Sequence, residues 1–463
     1  MDDFNDLFDL SDSRDIKDTK PNIKHYNHKP AKKEDTFDVN SVEVTDEMKN
    51  FLSAIDDNLN IFLTGSAGSG KSTLIKYFMK TTTKKIALLA PTGIAASNIG
   101  GQTFHSFFQL GIGIKTNAEM DSKRYEEDRI RMFNSIDAII IDEVSMLRAD
   151  LVDIADYVLQ KHRKSILPFG GVQMIFVGDL NQLPPVVVNS ERDYISHYYK
   201  TPYFFSSNVV TSYPFRKIVL NKIYRQTDLE FINILNRMKK KSNTQEDFDF
   251  INNKCVGKNV KSIEGLVFVT PKNDRADFIN TVKLNQIEGE EFLYKAHYEG
   301  YFDPKNCNAY DELKLKKDAQ IMMIMNDPQK RWVNGTIGTV ENLTQTQIQV
   351  RIKDKVYDVE KYTWEVFAYK FDKKTENLTT ENKGTMTQFP LRLAWANTVH
   401  KSQGMTFDNM HIEMDTGFFA HGMAYVALSR CRSLDGLSLS NKLTQYDIIY
   451  DPSVMSYLSD LDY

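Results

Sequence analysis

"IFLTGSAGSGKSTLIKYF", Ile61 to Phe78, joins an apolar run of strand character to a glycine-rich turn and then to a stretch of helical character. In Gly65-Ser66-Ala67-Gly68-Ser69-Gly70-Lys71-Ser72 the spacing G-x-x-x-x-G-K-S is complete, with the strand before it and the helix after it that phosphate binding requires. Glycines let backbone N–H groups ring the phosphates at a helix N-terminus, whose dipole favours anions. Lys71 is expected to reach the β- and γ-phosphates of a nucleotide. Ser72 is expected to ligate Mg²⁺, with its neighbour Thr73 second by position. Such loops drive switches, kinases, pumps and motors alike, so the work extracted must be read elsewhere in the chain.

Outward from the loop, strand-like runs recur at "NIFLTG", "KIALLAPTG", "DAIIIDE" and "MIFVGD", each followed by turn residues and a longer amphipathic stretch. That alternation is the pattern of a parallel sheet flanked by helices. A second set follows in "GLVFVTP", "LRLAWANT", "NMHIEM" and "GLSLS". Two α/β units are therefore expected, over residues 41–215 and over 216–295 with 386–463. Between 296 and 385, short pieces such as "AQIMMIMN" and "IQVRI" predict a small β-barrel inserted into the second unit. The stretch 109–131 reads as an insertion in the first unit.

The chain has 463 residues, enough for two to four structural units. Hydrophobic residues make up 41% and charged residues 26%, and no apolar run approaches the length needed to span a bilayer. Cys255, Cys307 and Cys431 are scattered without paired spacing, which supports neither a disulfide framework nor a zinc site and suits a reducing compartment such as the cytoplasm. The net charge is −4, and residues 1–40 hold ten acids against seven bases, so the remaining body is almost neutral. Composition alone thus gives no support for nucleic acid, although a locally basic groove would suffice. The first forty residues read as a disordered acidic tail, in which Phe4, Leu7 and Phe8 fall at helical spacing suited to docking on a protein partner.

In "DAIIIDEVSM" a buried strand ends in Asp142-Glu143. Asp142 is placed to hold Mg²⁺ through water, and Glu143 to polarise the attacking water as general base. A further strand in "MIFVGDLNQLPPV" delivers Asp179 and Gln182 toward the same place, Gln182 as a γ-phosphate sensor. Phosphoryl transfer also needs positive charge supplied from outside the loop. Arg225 in "NKIYRQTD" and Arg430 in "YVALSRCRS" are the candidates, and a site shared between the units would tie nucleotide state to their separation.

Taken in order, these motifs resemble those of a superfamily 1B, RecD-like DNA helicase of the petite-integration-frequency type. The resemblance runs from about residue 42 to 445 through "LLAPTGIAASNIGGQTFHSFF", "IIIDEVSML", "FGGVQMIFVGDLNQLPPV", "YRQTD", "WVNGTIGTV", "ANTVHKSQGMTFDNM" and "YVALSRCRSLDGL". It implies two RecA-like motor domains, ATP hydrolysis in their cleft, 5′-to-3′ movement on single-stranded DNA, unwinding of tailed duplexes and a monomeric motor. It carries Lys71, Ser72, Asp142, Glu143, Gln182, Arg225 and Arg430 to the ATP site and sets Gly404 near the γ-phosphate. It sets Pro91, Thr92, Thr103, His105, Phe107, Thr398, His400, Lys401 and Ser402 against the strand, and likens the insertion around Asn334-Gly335 to an SH3-like barrel. Residues 109–131 are expected to act as a wedge at the duplex. One departure concerns the adenine edge. Met48 stands where the family often has a glutamine, and a thioether cannot make the paired amide hydrogen bonds that read the base. The rival reading of the same phosphate loop and carboxylates is an ATPase that remodels proteins or acts as a switch.

Overall fold

The computed structural model describes residues 38–463 except 67, 112, 223–227, 261–262, 373–376, 415–416, 460 and 462–463. Phe4, Leu7, Phe8, Ala67 and Arg225 lie outside the described residues. Residues 42–463 form one compact unit, distinct from 1–41.

Six parallel strands make the first sheet: β1 (Ile61–Gly65), β2 (Ile86–Ala90), β3 (Gln102–Thr103), β4 (Ala138–Ile141), β5 (Gln173–Val177) and β6 (Arg216–Leu220), in the order β3-β2-β4-β5-β1-β6. Side chains on a strand alternate between faces, and here both faces are buried. Phe62, Ala87, Leu89, Ile139, Ile141, Met174 and Phe176 enter one core. Their neighbours Ile61, Leu63, Ile86, Leu88, Ala138, Ile140, Ile175 and Val177 enter the other. This explains the near-continuous apolar runs, which belong to parallel strands covered on both sides. The sheet extends past the expected boundary at 215, because Ile61 to Gly65 of β1 pair in register with Arg216 to Leu220 of β6.

The second sheet begins with β7 (Val267–Thr270), after which the chain leaves for the insertion. There β8 (Phe292–Lys295) pairs with β10 (Glu312–Leu315), and β9 (His297–Gly300) joins a later hairpin. The strands β11 (Gln320–Met323), β12 (Ile337–Leu343), β13 (Ile348–Ile352), β14 (Lys355–Val359) and β17 (Leu391–Leu393) form an antiparallel sheet in the order β14-β13-β12-β11-β17. It has its own apolar core, including Leu313, Ile321, Val340 and Val350. The hairpin of β15 (Tyr362–Asp372) and β16 (Asn377–Gln388) pairs along its length, with a register shift at Val366/Phe367. The insertion therefore runs from 292 to 393, wider than 296–385, because β8 and β17 pair with its strands. β18 (Ala396–Thr398), β19 (Met410–Ile412) and β20 (Leu437–Leu439) then complete a parallel sheet in the order β18-β7-β19-β20.

One further feature departs from the expected division. The helix Pro452–Leu458 buries Val454 and Leu458 in the core of the first unit, and Tyr457 stacks on Phe205 with ring centroids 4.3 Å apart. The chain's last turns thus belong with the first unit. Residues 109–131 are anchored by Met120 and Tyr125 in that same core and by an Asp121–Lys161 ion pair of 2.8 Å. Among the described residues, no helix is long and apolar enough to cross a membrane.

A candidate nucleotide and strand site

The glycine loop is shaped by backbone that only glycine tolerates. Gly65, Gly68 and Gly70 have φ of 153°, 81° and 89°. At Gly65 a Cβ would lie 2.6 Å from both the Leu220 carbonyl oxygen and Ser69 Oγ. Lys71 opens the helix Lys71–Thr81, and its Nζ donates to the carbonyls of Gly65 at 2.8 Å and Ser66 at 3.0 Å. Burial lowers the pKa of this lysine, while the charges of Asp179, Glu143 and Asp142 oppose the shift. Ser69 Oγ is buried with no hydrogen-bond partner. Ser72 and Thr73 are exposed at the head of the helix.

β4 delivers Asp142, whose Oδ1 accepts from the Glu143 N–H at 2.9 Å. Glu143 has a left-handed backbone, φ 52° and ψ 41°. Side chains other than glycine hold that region at a cost of about 1–3 kcal/mol, and such strain clusters at functional sites. Its carboxyl is pushed up to about 7, first by burial and then by the Asp142 charge, against the pull of Lys71 and Arg430. Glu143 keeps some exposed surface although it is deeply set among protein atoms. Asp179 behaves oppositely. It is fully buried, yet Lys239 and Lys71, with the Asn181 N–H, hold its carboxyl below the usual range.

These groups join in a circuit that crosses between the two units. Gln403, in the turn after β18, donates from Nε2 to Glu143 Oε2 and to Gln182 Oε1, both at 3.1 Å. Gln182 Nε2 donates to Asp179 Oδ2 at 3.5 Å, and Lys239 Nζ stands 3.4 Å from that same oxygen. Lys239 also donates to Ser66 Oγ at 3.1 Å, which closes the path at the phosphate loop. Arg430 is 1% exposed and donates to the Val426 carbonyl at 2.9 Å and to Ser429 Oγ at 2.7 Å, close enough for its charge to act on Glu143.

Neither Gln403 nor Lys239 is singled out by the sequence reading. Gln403 sits inside the quoted "VHKSQG", but its role needs the tertiary meeting of two loops. Lys239 begins the run Lys239-Lys240-Lys241. That run looks like an ordinary solvated helix end, yet Lys239 is only 7% exposed.

Met48 lies on the helix Asp46–Asp56, 5% exposed among core side chains that include Phe51 and Phe78. The expected strand residues divide. Thr92 and Thr103 each cap a helix, accepting from the N–H of Ala95 and of Ser106. Pro91 and His105 are half-buried, and burial lowers the pKa of His105. Phe107 is corrected: it is fully buried, edge-on to Phe108 and Tyr369, so its ring is core and presents no face to a base. Thr398 and Ser402 are buried too, and Ser402 Oγ donates to the Thr398 carbonyl at 2.7 Å. They shape the turn rather than line it. His400 and Gly404 are exposed and Lys401 is half-buried.

Against known proteins, residues 43–257 match the family model described as PIF1-like helicase. The ATP-dependent DNA helicase Pif1 of Bdellovibrio bacteriovorus is 34% identical over 432 residues, covering 92% of this chain and 93% of that one. The crystal structure of Bacteroides sp Pif1 in complex with ADP-AlF4 matches with a TM-score of 0.83 at 35% identity, over 90% of this chain and 97% of that one. Bacteroides Pif1 bound to ssDNA matches with a TM-score of 0.66 at the same identity and coverage. Motif order, the two parallel sheets and near full-length similarity all agree: the chain belongs to the PIF1-like helicase family.

Proposed function

We propose that this chain is an ATP-dependent DNA helicase that moves 5′-to-3′ on single-stranded DNA by closing and opening the cleft between its two α/β units. One observation carries the proposal: Gln403 of the second unit hydrogen-bonds both Glu143 and Gln182 of the first. The turn holding that glutamine also holds His400 and Lys401, the residues we assign to the strand. Movement of a strand along this turn would therefore reach the group that activates water through the Gln403 side chain.

In this scheme Glu143 takes the proton from the attacking water and Lys71 leaves its loop carbonyls for the β- and γ-phosphates. Gln182 reports the γ-phosphate, and Arg430, with Arg225, offsets transition-state charge. The exposed Ser72 hydroxyl and the Asp142 carboxylate are hard oxygen donors, the kind Mg²⁺ takes when nucleotide phosphates and water supply its other ligands. Bound Mg²⁺ would supply charge neutralisation at the phosphates. The five-stranded insertion sheet is assigned as the SH3-like subdomain, and the motor as a monomer. The two Bacteroides forms match this chain at equal identity and coverage but unequal TM-score, which supports a rearrangement of units on strand binding.

Separating one base-pair step costs about 1.4 kcal/mol in stacking, well within the yield of one hydrolysed ATP. Gln403→Ala removes one hydrogen bond to each partner, and turnover with DNA is expected to fall about tenfold, the kinetic equivalent of about 1.4 kcal/mol. Unwinding assays on duplexes bearing one 5′ or one 3′ tail test direction, since only the 5′-tailed substrate should open. Opening of the 3′-tailed duplex alone would overturn the polarity.

A further inference from the structure

We propose that Lys239 is a further cation of the nucleotide site, contributed by the second unit and directed at the terminal phosphate of the triphosphate. The inference rests on the ATPase reading above and extends its residue set. Lys239 is the last residue of the helix Leu229–Lys239, whose Phe231, Ile234, Leu235 and Met238 pack in the second unit's core. That packing anchors its stem. Its ammonium nevertheless meets two groups of the first unit, Ser66 Oγ at 3.1 Å and Asp179 Oδ2 at 3.4 Å. The side chain is 4% exposed and passes 5.5 Å from the centre of the Tyr425 ring.

A buried lysine is costly unless paired, and Asp179 supplies the pair. Two features point beyond a structural ion pair. Ser66 is the second residue of the phosphate loop, so the ammonium already stands one hydrogen bond from the rim that encloses the phosphates. Lys239 also shares Asp179 with Lys71: the two ammoniums approach that carboxylate from different units and oppose each other's charge. A terminal phosphate drawn in by Lys71 brings more negative charge than one carboxylate, and Lys239 can turn to it on its flexible four-carbon stem. ADP lacks that group. The contact would therefore distinguish ATP from ADP and would bind the second unit to the triphosphate until hydrolysis.

Equilibrium binding of a non-hydrolysable ATP analogue and of ADP, each with Mg²⁺, to the full chain and to Lys239→Met tests this. Loss of a charged hydrogen bond predicts about ten- to a hundredfold weaker binding of the analogue, with ADP affinity unchanged. The double variant Lys239→Met/Asp179→Asn separates the alternatives, because a lysine that merely neutralises Asp179 would regain the wild-type ratio of analogue to ADP affinity there. Such recovery, or equal loss for both nucleotides, would overturn the proposal. Lys239→Gln retains hydrogen-bonding capacity without charge and serves the same comparison should the methionine variant fail to fold. Wild-type protein that binds neither nucleotide would instead remove the ATPase reading itself.

Discussion

Glu143 combines two features seldom found together in a residue without chemical work: a left-handed backbone and a carboxyl pushed up to about 7. A general base must be ionised to act, so kcat/KM for ATP should rise with pH through about 7 as Glu143 loses its proton. An inflection at an ordinary glutamate value would contradict that assignment. Glu143→Gln should keep nucleotide binding and lower turnover by about 10²–10⁴-fold, the usual contribution of a positioned general base. Arg430 is more delicate, because its guanidinium is tied to the Val426 carbonyl and Ser429 Oγ inside its own unit. Arg430→Lys, which keeps charge but loses the fork, should lower turnover while melting experiments show a smaller change than for Arg430→Ala. At this scale placement was legible wherever a motif sets it by spacing, as at Lys71 and Glu143, whose charges act on one another in the fold. It was not legible at Gln403 and Lys239, because an amide in a turn and a lysine in a basic run acquire meaning only from a partner on another unit.

The hairpin of β15 and β16 reaches across to the first unit through Tyr369, whose hydroxyl oxygen accepts the Leu88 N–H of β2 at 2.9 Å. The Tyr369 N–H donates to Gln102 Oε1 at 3.2 Å, and its ring meets Phe107 edge-on at 5.8 Å. Tyr369→Phe leaves that strand N–H without its acceptor, a loss of about 1–3 kcal/mol. Hydrogen exchange at Leu88 and along residues 362–388 should quicken, and unchanged protection would show that the hairpin is held elsewhere. Phe107→Ala should destabilise the first unit by about 3–5 kcal/mol in urea unfolding, the range for a buried aromatic ring. β1, β2, β4 and β5 were readable because double-sided burial writes unbroken apolar runs, whereas the two-residue β3 and the partly exposed β6 carry no such run and were not named. Phe107 misled because core and base-stacking roles use the same ring, and only burial tells them apart. The ends of the insertion were misplaced because β8 and β17 are short, and their partners are remote in sequence.

Across the whole molecule, Lys239 ties the two units at the phosphate loop, Gln403 ties them at Glu143 and Gln182, and they are joined again where the helix Pro452–Leu458 returns to the first core. None of these links follows from local pattern. The central claim is that hydrolysis in this cleft answers to a strand held by the turn that carries Gln403. Steady-state ATP hydrolysis by the full chain, measured with Mg²⁺ in the presence and absence of single-stranded DNA, tests it most directly. The account predicts strong stimulation by the strand, largely lost in Gln403→Ala, whereas hydrolysis that proceeds at the same rate with and without DNA would contradict it.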